Sequence, residues 1–167
     1  MLIRAEEPKD WAAVSAVTQS AFETPAEARL VGVLREQARP VVSLVTEKDG
    51  SILGHILFSP VVLPAHPELK IMGLAPMAVA PAHQRKDIGS ARVRAGLEQC
   101  RKLGFGAVVV LGHPDYYPRF GFLPAMRFGI GCEYEAPVEA FMLVELQPGY
   151  LHGASGKVKY HAAFSNV

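Results

Sequence analysis

The stretch from Met77 to Leu111 limits the fold of this chain more than any other. Met77-Ala78-Val79 reads as the end of a strand, His83-Gln84-Arg85-Lys86-Asp87 as a polar loop, and a helical segment opens near Ile88-Gly89-Ser90 and stops at Gly104. Ala107 to Leu111 then forms an uninterrupted apolar run. Such a run suits a strand covered on both faces, and a helix crossing between two strands leaves them parallel. The unit is therefore β-α-β, which places the chain in the α/β class with helices packed on a sheet.

The rest of the chain makes that sheet mixed. Leu2 to Ala5 resembles a first strand, and after Pro8-Lys9-Asp10 the residues Trp11, Val14, Val17, Ala21 and Phe22 recur at helical spacing. Thr24-Pro25 with Glu27 suits a second helix start, and Ala28, Leu30, Val31 and Leu34 continue it until Arg39-Pro40. Val41 to Thr46 and Ile52 to Phe58 are β-rich runs joined across Lys48-Asp49-Gly50, whose Asp-Gly dipeptide signals an antiparallel hairpin. A loop from Pro60 to Pro67 leads into the strand carrying Ile71, Leu74, Met77 and Val79, where Pro76 implies an interrupted ladder. Phe141 to Leu146 and Lys157 to Tyr160 are later strand candidates, and Gly129-Ile130-Gly131 reads as turns. In the helix after Gly89, an apolar stripe is expected through Ile88, Ala91, Ala95, Cys100 and Leu103. Arg92 falls inside that stripe, and the ordinary account is a stem lying along the apolar face with its head in solvent.

Length and charge narrow the function classes. A chain of 167 residues suits one domain spanning 1–167, and although 50% of it is hydrophobic, no stretch reaches a membrane-spanning length without charge or proline. Seventeen basic against sixteen acidic residues leave a net charge of +1, which gives no general attraction to nucleic acid or to an anionic membrane. Cys100 and Cys132 form no motif and read as free thiols. Met1-Leu2-Ile3-Arg4 does not resemble a secretion leader, so a cytoplasmic setting is expected. His152 and His161 lack partners at ligand spacing, and no metal site is expected.

Positive potential must therefore be local, and the loop before Ile88 supplies it. A helix start exposes unpaired N–H groups and the positive end of the dipole, which together favour an anion. Gln84, Arg85 and Lys86 add side-chain donors, and Gly89 lets a phosphate come close to the backbone. Taken alone, the same residues also describe an ordinary helix start with solvated basic side chains.

Context favours the anion site. The order of elements, together with Gly112-His113-Pro114-Asp115-Tyr116-Tyr117-Pro118-Arg119-Phe120-Gly121-Phe122, resembles the GNAT N-acetyltransferases, in particular small bacterial members with a Gly-His-Pro-x-Tyr-Tyr-Pro-x-Phe-Gly-Phe segment. The resemblance covers nearly the whole chain. It implies a mixed central sheet flanked by helices, with the fourth and fifth strands splayed to admit the pantetheine arm of acetyl-coenzyme A. It also implies acetyl transfer to a primary amine of a small molecule or a protein, by direct attack in a ternary complex. The cosubstrate residues so implied are Met77, Ala78, Val79, Gln84, Arg85, Lys86, Asp87, Ile88, Gly89, Ser90, Tyr117 and Phe120.

Two departures from the family pattern bear on function. Asp87 stands where the family has the first glycine of its pyrophosphate loop, and Arg92 where it usually has an aliphatic residue. Like charges about 5 Å apart repel by about 3 kcal/mol at an effective dielectric of 20, so Asp87 is expected to weaken the cosubstrate without abolishing binding. Catalysis requires a neutral amine, a polarised thioester and a proton for the thiolate. Tyr117 matches the family's tyrosine near the sulfur, or else it is half of a packing pair with Tyr116. His113 is a candidate base, or a capping residue before Pro114. Glu27, Glu133 and Glu135 are either acceptor contacts or solvated carboxylates.

Two other readings stay open: a catalytically weakened coenzyme A or ligand-binding module, and a transferase for a longer acyl chain with room beside Ala75 and Ala78. A late strand edge could pair with a second copy as a homodimer.

Overall fold

The computed structural model describes residues 1–84 and 88–166. Strand β1 (Leu2–Ala5) is followed by helices α1 (Trp11–Ala21) and α2 (Ala26–Gln37), then strands β2 (Val42–Lys48), β3 (Ser51–Val61) and β4 (Ile71–Val79). Helix α3 (Ile88–Lys102) leads to β5 (Ala107–Leu111). Four shorter strands complete the chain: β6 (Leu123–Pro124), β7 (Ile130–Cys132), β8 (Phe141–Glu145) and β9 (Gly156–Val158). The main sheet has the order β1-β2-β3-β4-β5-β8-β6, and β7 and β9 form a separate parallel pair.

Local chemistry explains the main joints. Asp49 and Gly50 both take left-handed backbone angles (φ 52° and 81°), as the tight turn between β2 and β3 requires. Along β4, Met77 faces Ile56 and Leu74 faces Phe58, so Ala75 and Pro76 together oppose Leu57. The interruption expected at Pro76 is thus a β-bulge, at a residue with no N–H to offer the ladder. β4 and β5 run parallel but pair only at Ile71↔Ala107, Met72↔Val108 and Gly73↔Val109. Beyond Gly73 the β5 side of β4 is unpaired, and the two strands part.

Each sheet face has its own core. Val42, Leu44, Ile56, Phe58, Met72 and Val108 pack against Val93 and Cys100 of α3. Val45 and Leu57 pack under Val14 of α1 and Leu30, Val31 and Leu34 of α2. The phase of α3 differs from expectation: Ala91 and Leu103 are exposed, whereas Arg92, Val93, Gly96 and Cys100 face the sheet. Gly96 belongs to the buried stripe because a Cβ there would overlap the Phe58 ring. Gly129 is a turn residue (φ 73°), but Ile130 begins β7 instead of continuing the turn. The late strand expected at Lys157 to Tyr160 runs over Gly156–Val158. Among the described residues no helix is long and apolar enough to cross a membrane.

Candidate active site

The parting of β4 and β5 defines the site. Ala80 N donates to Leu53 O, so Ala80 turns toward β3, and strand alternation turns the N–H and C=O of Val79 toward the unpaired side. Gln84 closes that end of the strand: its Nε2 donates to Val79 O at 3.1 Å. Met77, Gly89 and Tyr116 meet at the start of α3, where a Cβ on Gly89 would lie 3.0 Å from the Tyr116 hydroxyl and 3.8 Å from the Met77 methyl. Ser90 is buried and its Oγ is 3.2 Å from the same hydroxyl. Arg85, Lys86 and Asp87 lie outside the described residues.

The aromatic turn after β5 reaches back to this helix start. His113 O accepts from Tyr116 N at 3.1 Å and Tyr117 N at 3.5 Å, which winds the chain into a 3-10 turn over Tyr117–Phe120. Gly112 makes room for it, since a Cβ there would be 2.6 Å from the Tyr117 ring. Tyr116 packs edge-on against Tyr117 (5.1 Å between ring centroids) and Phe120 (5.3 Å), and Arg94 lies over the Phe120 ring at 5.0 Å. Tyr117 is therefore a packing partner of Tyr116. That does not occupy its hydroxyl, which has no hydrogen-bond partner among the described residues. Burial pushes the Tyr117 phenol up to about 12, so it is protonated at neutral pH.

The other acid and base candidates fall differently. The His113 side chain is exposed, and the capping contacts of this residue come from its backbone carbonyl. Glu27 accepts from the Thr24 hydroxyl at 3.3 Å at the start of α2. Glu133 accepts from Tyr160 N at 2.8 Å, tying the end of β7 to the end of β9, and Glu135 is exposed. A concavity of about 490 Å³ lined by Ile3, Trp11, Arg35 and Leu103 lies at the β1 edge of the sheet and not at the gap.

Arg92 overturns the expectation of a side chain reaching solvent. It is 0% exposed. Its Nη1 donates to Thr46 Oγ1 and its Nη2 to Ala78 O, each at 3.1 Å, while Nε has no partner. Gly54 creates the space, because a Cβ there would overlap Arg92 Nη1. Burial lowers the guanidinium to about 10, which still leaves it charged at neutral pH. The available signal was Gly54 itself, since a glycine inside a strand marks the close approach of another group.

A second buried polar centre also escaped the sequence. Glu6 Oε1 accepts from Arg35 Nε at 2.6 Å, and Glu6 Oε2 from Ser43 Oγ at 2.6 Å. His55 Nε2 lies 3.1 Å from the same Oε2, and because a carboxylate only accepts, the imidazole carries its proton on Nε2. Burial alone would raise Glu6, but the hydrogen bonds from His55, Arg35 and Ser43 outweigh it and hold the carboxyl at about 2. Burial lowers His55 despite the carboxylate beside it, so the imidazole is neutral.

This arrangement has known counterparts. Residues 10–122 match the model of the acetyltransferase (GNAT) family. The chain is 36% identical over 166 residues to YhbS of Escherichia coli K12, an uncharacterized N-acetyltransferase, covering 99% of each protein. The crystal structure of E. coli YhbS in complex with coenzyme A superposes with a TM-score of 0.91 at 35% identity, over 98% of this chain and 91% of that one. A GNAT family acetyltransferase from Brucella melitensis in complex with acetyl-coenzyme A gives 0.80 at 37% identity, over 98% and 97%. The chain belongs to the GNAT acetyltransferase family.

Proposed function

We propose that the protein transfers the acetyl group of acetyl-coenzyme A directly to a primary amine. The observation that carries this reading is the parting of β4 and β5 after Gly73↔Val109, which leaves the β5 side of β4 open to an extended ligand arm as far as Val79, whose carbonyl is held by Gln84. Relatives that share the fold at above 30% identity hold coenzyme A or acetyl-coenzyme A. Met77, Ala78 and Val79 contribute the strand, Gln84, Arg85, Lys86 and Asp87 the loop, and Ile88, Gly89 and Ser90 the helix start. Phe120 and the Tyr117 ring enclose the acyl end.

In the transfer, the amine nitrogen attacks the thioester carbonyl to form the N–C bond, and the C–S bond then breaks. The sulfur leaves as thiolate and the nitrogen is left with a surplus proton. A buried phenol held at about 12 is a weaker acid than an ordinary thiol, so it does not give its proton outright to the thiolate. Tyr117 acts as a hydrogen-bond donor to the developing thiolate, which leaves unprotonated, and the surplus proton of the attacking nitrogen goes to a base. His113, exposed at the end of β5, takes that proton directly or through water.

The test is thiol release from acetyl-coenzyme A across a panel of small amines and lysine peptides, with Tyr117→Phe alongside. Turnover with at least one amine is expected, and Tyr117→Phe should lower kcat by about tenfold to a hundredfold. Tight binding of acetyl-coenzyme A with no turnover on any amine would instead support a binding module.

A further inference from the structure

Arg92 is a buried cation whose compensation is incomplete. Thr46 Oγ1 and Ala78 O are neutral acceptors, Nε is unpartnered, and no carboxylate among the described residues lies within ion-pair distance of the guanidinium. A buried charge without a counter-ion is costly, and proteins ordinarily pair it. Here the chain clears space for it by placing glycine at position 54.

Its position within the fold is informative. Arg92 is the fifth residue of α3, so it leaves the helix just inside the end that faces the loop. Its guanidinium lies across the sheet row Thr46, Gly54 and Val79, at the end of β4. Through Ala78 O it touches the strand segment between Met77 and Val79, the segment whose Met77 meets Gly89 and Tyr116 at the start of α3. The dipole of α3 adds positive potential at the same end.

We propose that Arg92 is a positioning residue for the anionic end of the cosubstrate, a buried cation whose counter-ion is the diphosphate of acetyl-coenzyme A. This rests on the reading of the gap as a coenzyme A site. The free protein carries the cost of an unneutralised charge, and binding the diphosphate removes it. Arg92 does not touch the ligand; it acts through the low-dielectric interior, where charge is screened less than at the surface.

The experiment compares Arg92→Met and Arg92→Lys with the parent, using coenzyme A by calorimetry and pantetheine by ligand-observed NMR. Pantetheine keeps the arm that pairs with β4 and lacks the diphosphate. Arg92→Met should weaken coenzyme A by about tenfold to thirtyfold, the effect of unit charges roughly 10 Å apart at an effective dielectric of about 20. Arg92→Lys, which keeps the charge and loses the planar fork, should stay within about threefold of the parent, and pantetheine should be unchanged in both. Equal losses for coenzyme A and pantetheine would overturn the proposal and leave Arg92 as a brace for Ala78. Unchanged coenzyme A binding in Arg92→Met would also overturn it. If the parent itself fails to bind coenzyme A, the reading of the gap fails and takes this inference with it. A fold-change near one against a binding parent sinks this inference alone.

Discussion

The two faces of the sheet solve the same problem in opposite ways. On the α1 and α2 face, Glu6 is surrounded by Arg35, Ser43 and His55, so its charge is neutralised within the chain. On the α3 face, Arg92 has only neutral acceptors among the described residues. The first centre ties the end of β1 to β2, β3 and α2, and the charge of Glu6 is met there by Arg35, although His55 Nδ1 is buried without a partner among the described residues. The second sits below the helix start that faces the cosubstrate gap, where an incoming anion completes it. Buried polar groups in one small protein thus divide into a lock and a receptor, distinguished by whether the counter-charge is part of the chain.

Removing the lock should have the largest effect. Glu6→Ala leaves Arg35, Ser43 and His55 facing an empty site and is expected to cost about 3 kcal/mol in urea denaturation. Arg92→Met removes a charge that has no counter-ion among the described residues, and two hydrogen bonds to neutral acceptors, and replaces them with an apolar side chain of similar length, so its stability should remain within about 1 kcal/mol of the parent. Equal losses for the two variants would erase the contrast between the faces.

Gly54→Ala tests the packing beneath the receptor. Its methyl group competes with Arg92 Nη1 for the same space and should cost about 2 kcal/mol, much of it recovered when Arg92→Met is added. Additive effects of the two changes would show that Gly54 and Arg92 are not coupled.

A smaller effect follows from pH. The folded state holds His55 below its ordinary 6.5, so beneath pH 6.5 the unfolded chain binds a proton that the folded one excludes. Stability then falls with pH by about 1.4 kcal/mol per unit while His55 stays neutral in the fold. Glu6, lowered from 4.5 to about 2, adds a loss in the same direction as pH falls from 4.5 toward 2. Chemical denaturation between pH 8 and pH 5 should show the His55 limb, and His55→Gln should flatten it.

Much of this fold could be read from local pattern. The β-rich runs of β2 and β3 around Asp49-Gly50, the apolar run at Ala107 to Leu111 and the stop at Gly104 each depend on near neighbours in sequence, and these elements form where expected. The bulge followed from the chemistry of Pro76. The phase of α3 does not follow from the apolar pattern, because Ala91 and Leu103 count as apolar and Gly96 does not, although it is Gly96 that admits Phe58. β6 and β7 are too short to carry a periodicity. The aromatic segment brought Tyr117 and Phe120 to attention through fixed spacing, but the contact of Tyr116 with Ser90 across 26 positions has no local signal. Arg92, Gly54 and Thr46 come from three different elements, and so do Glu6, His55 and Arg35. Only the assembled sheet reveals that these residues meet.

Whether the gap beside β4 holds acetyl-coenzyme A, at some cost from Asp87, is decided by calorimetric titration of the parent beside Asp87→Gly at one salt concentration. One molecule should bind per chain in both, with the variant tighter by several-fold to about a hundredfold, as removal of a like charge about 5 Å from the diphosphate would give. No heat of binding in either protein would contradict it, and equal affinity in both would remove Asp87 from the account.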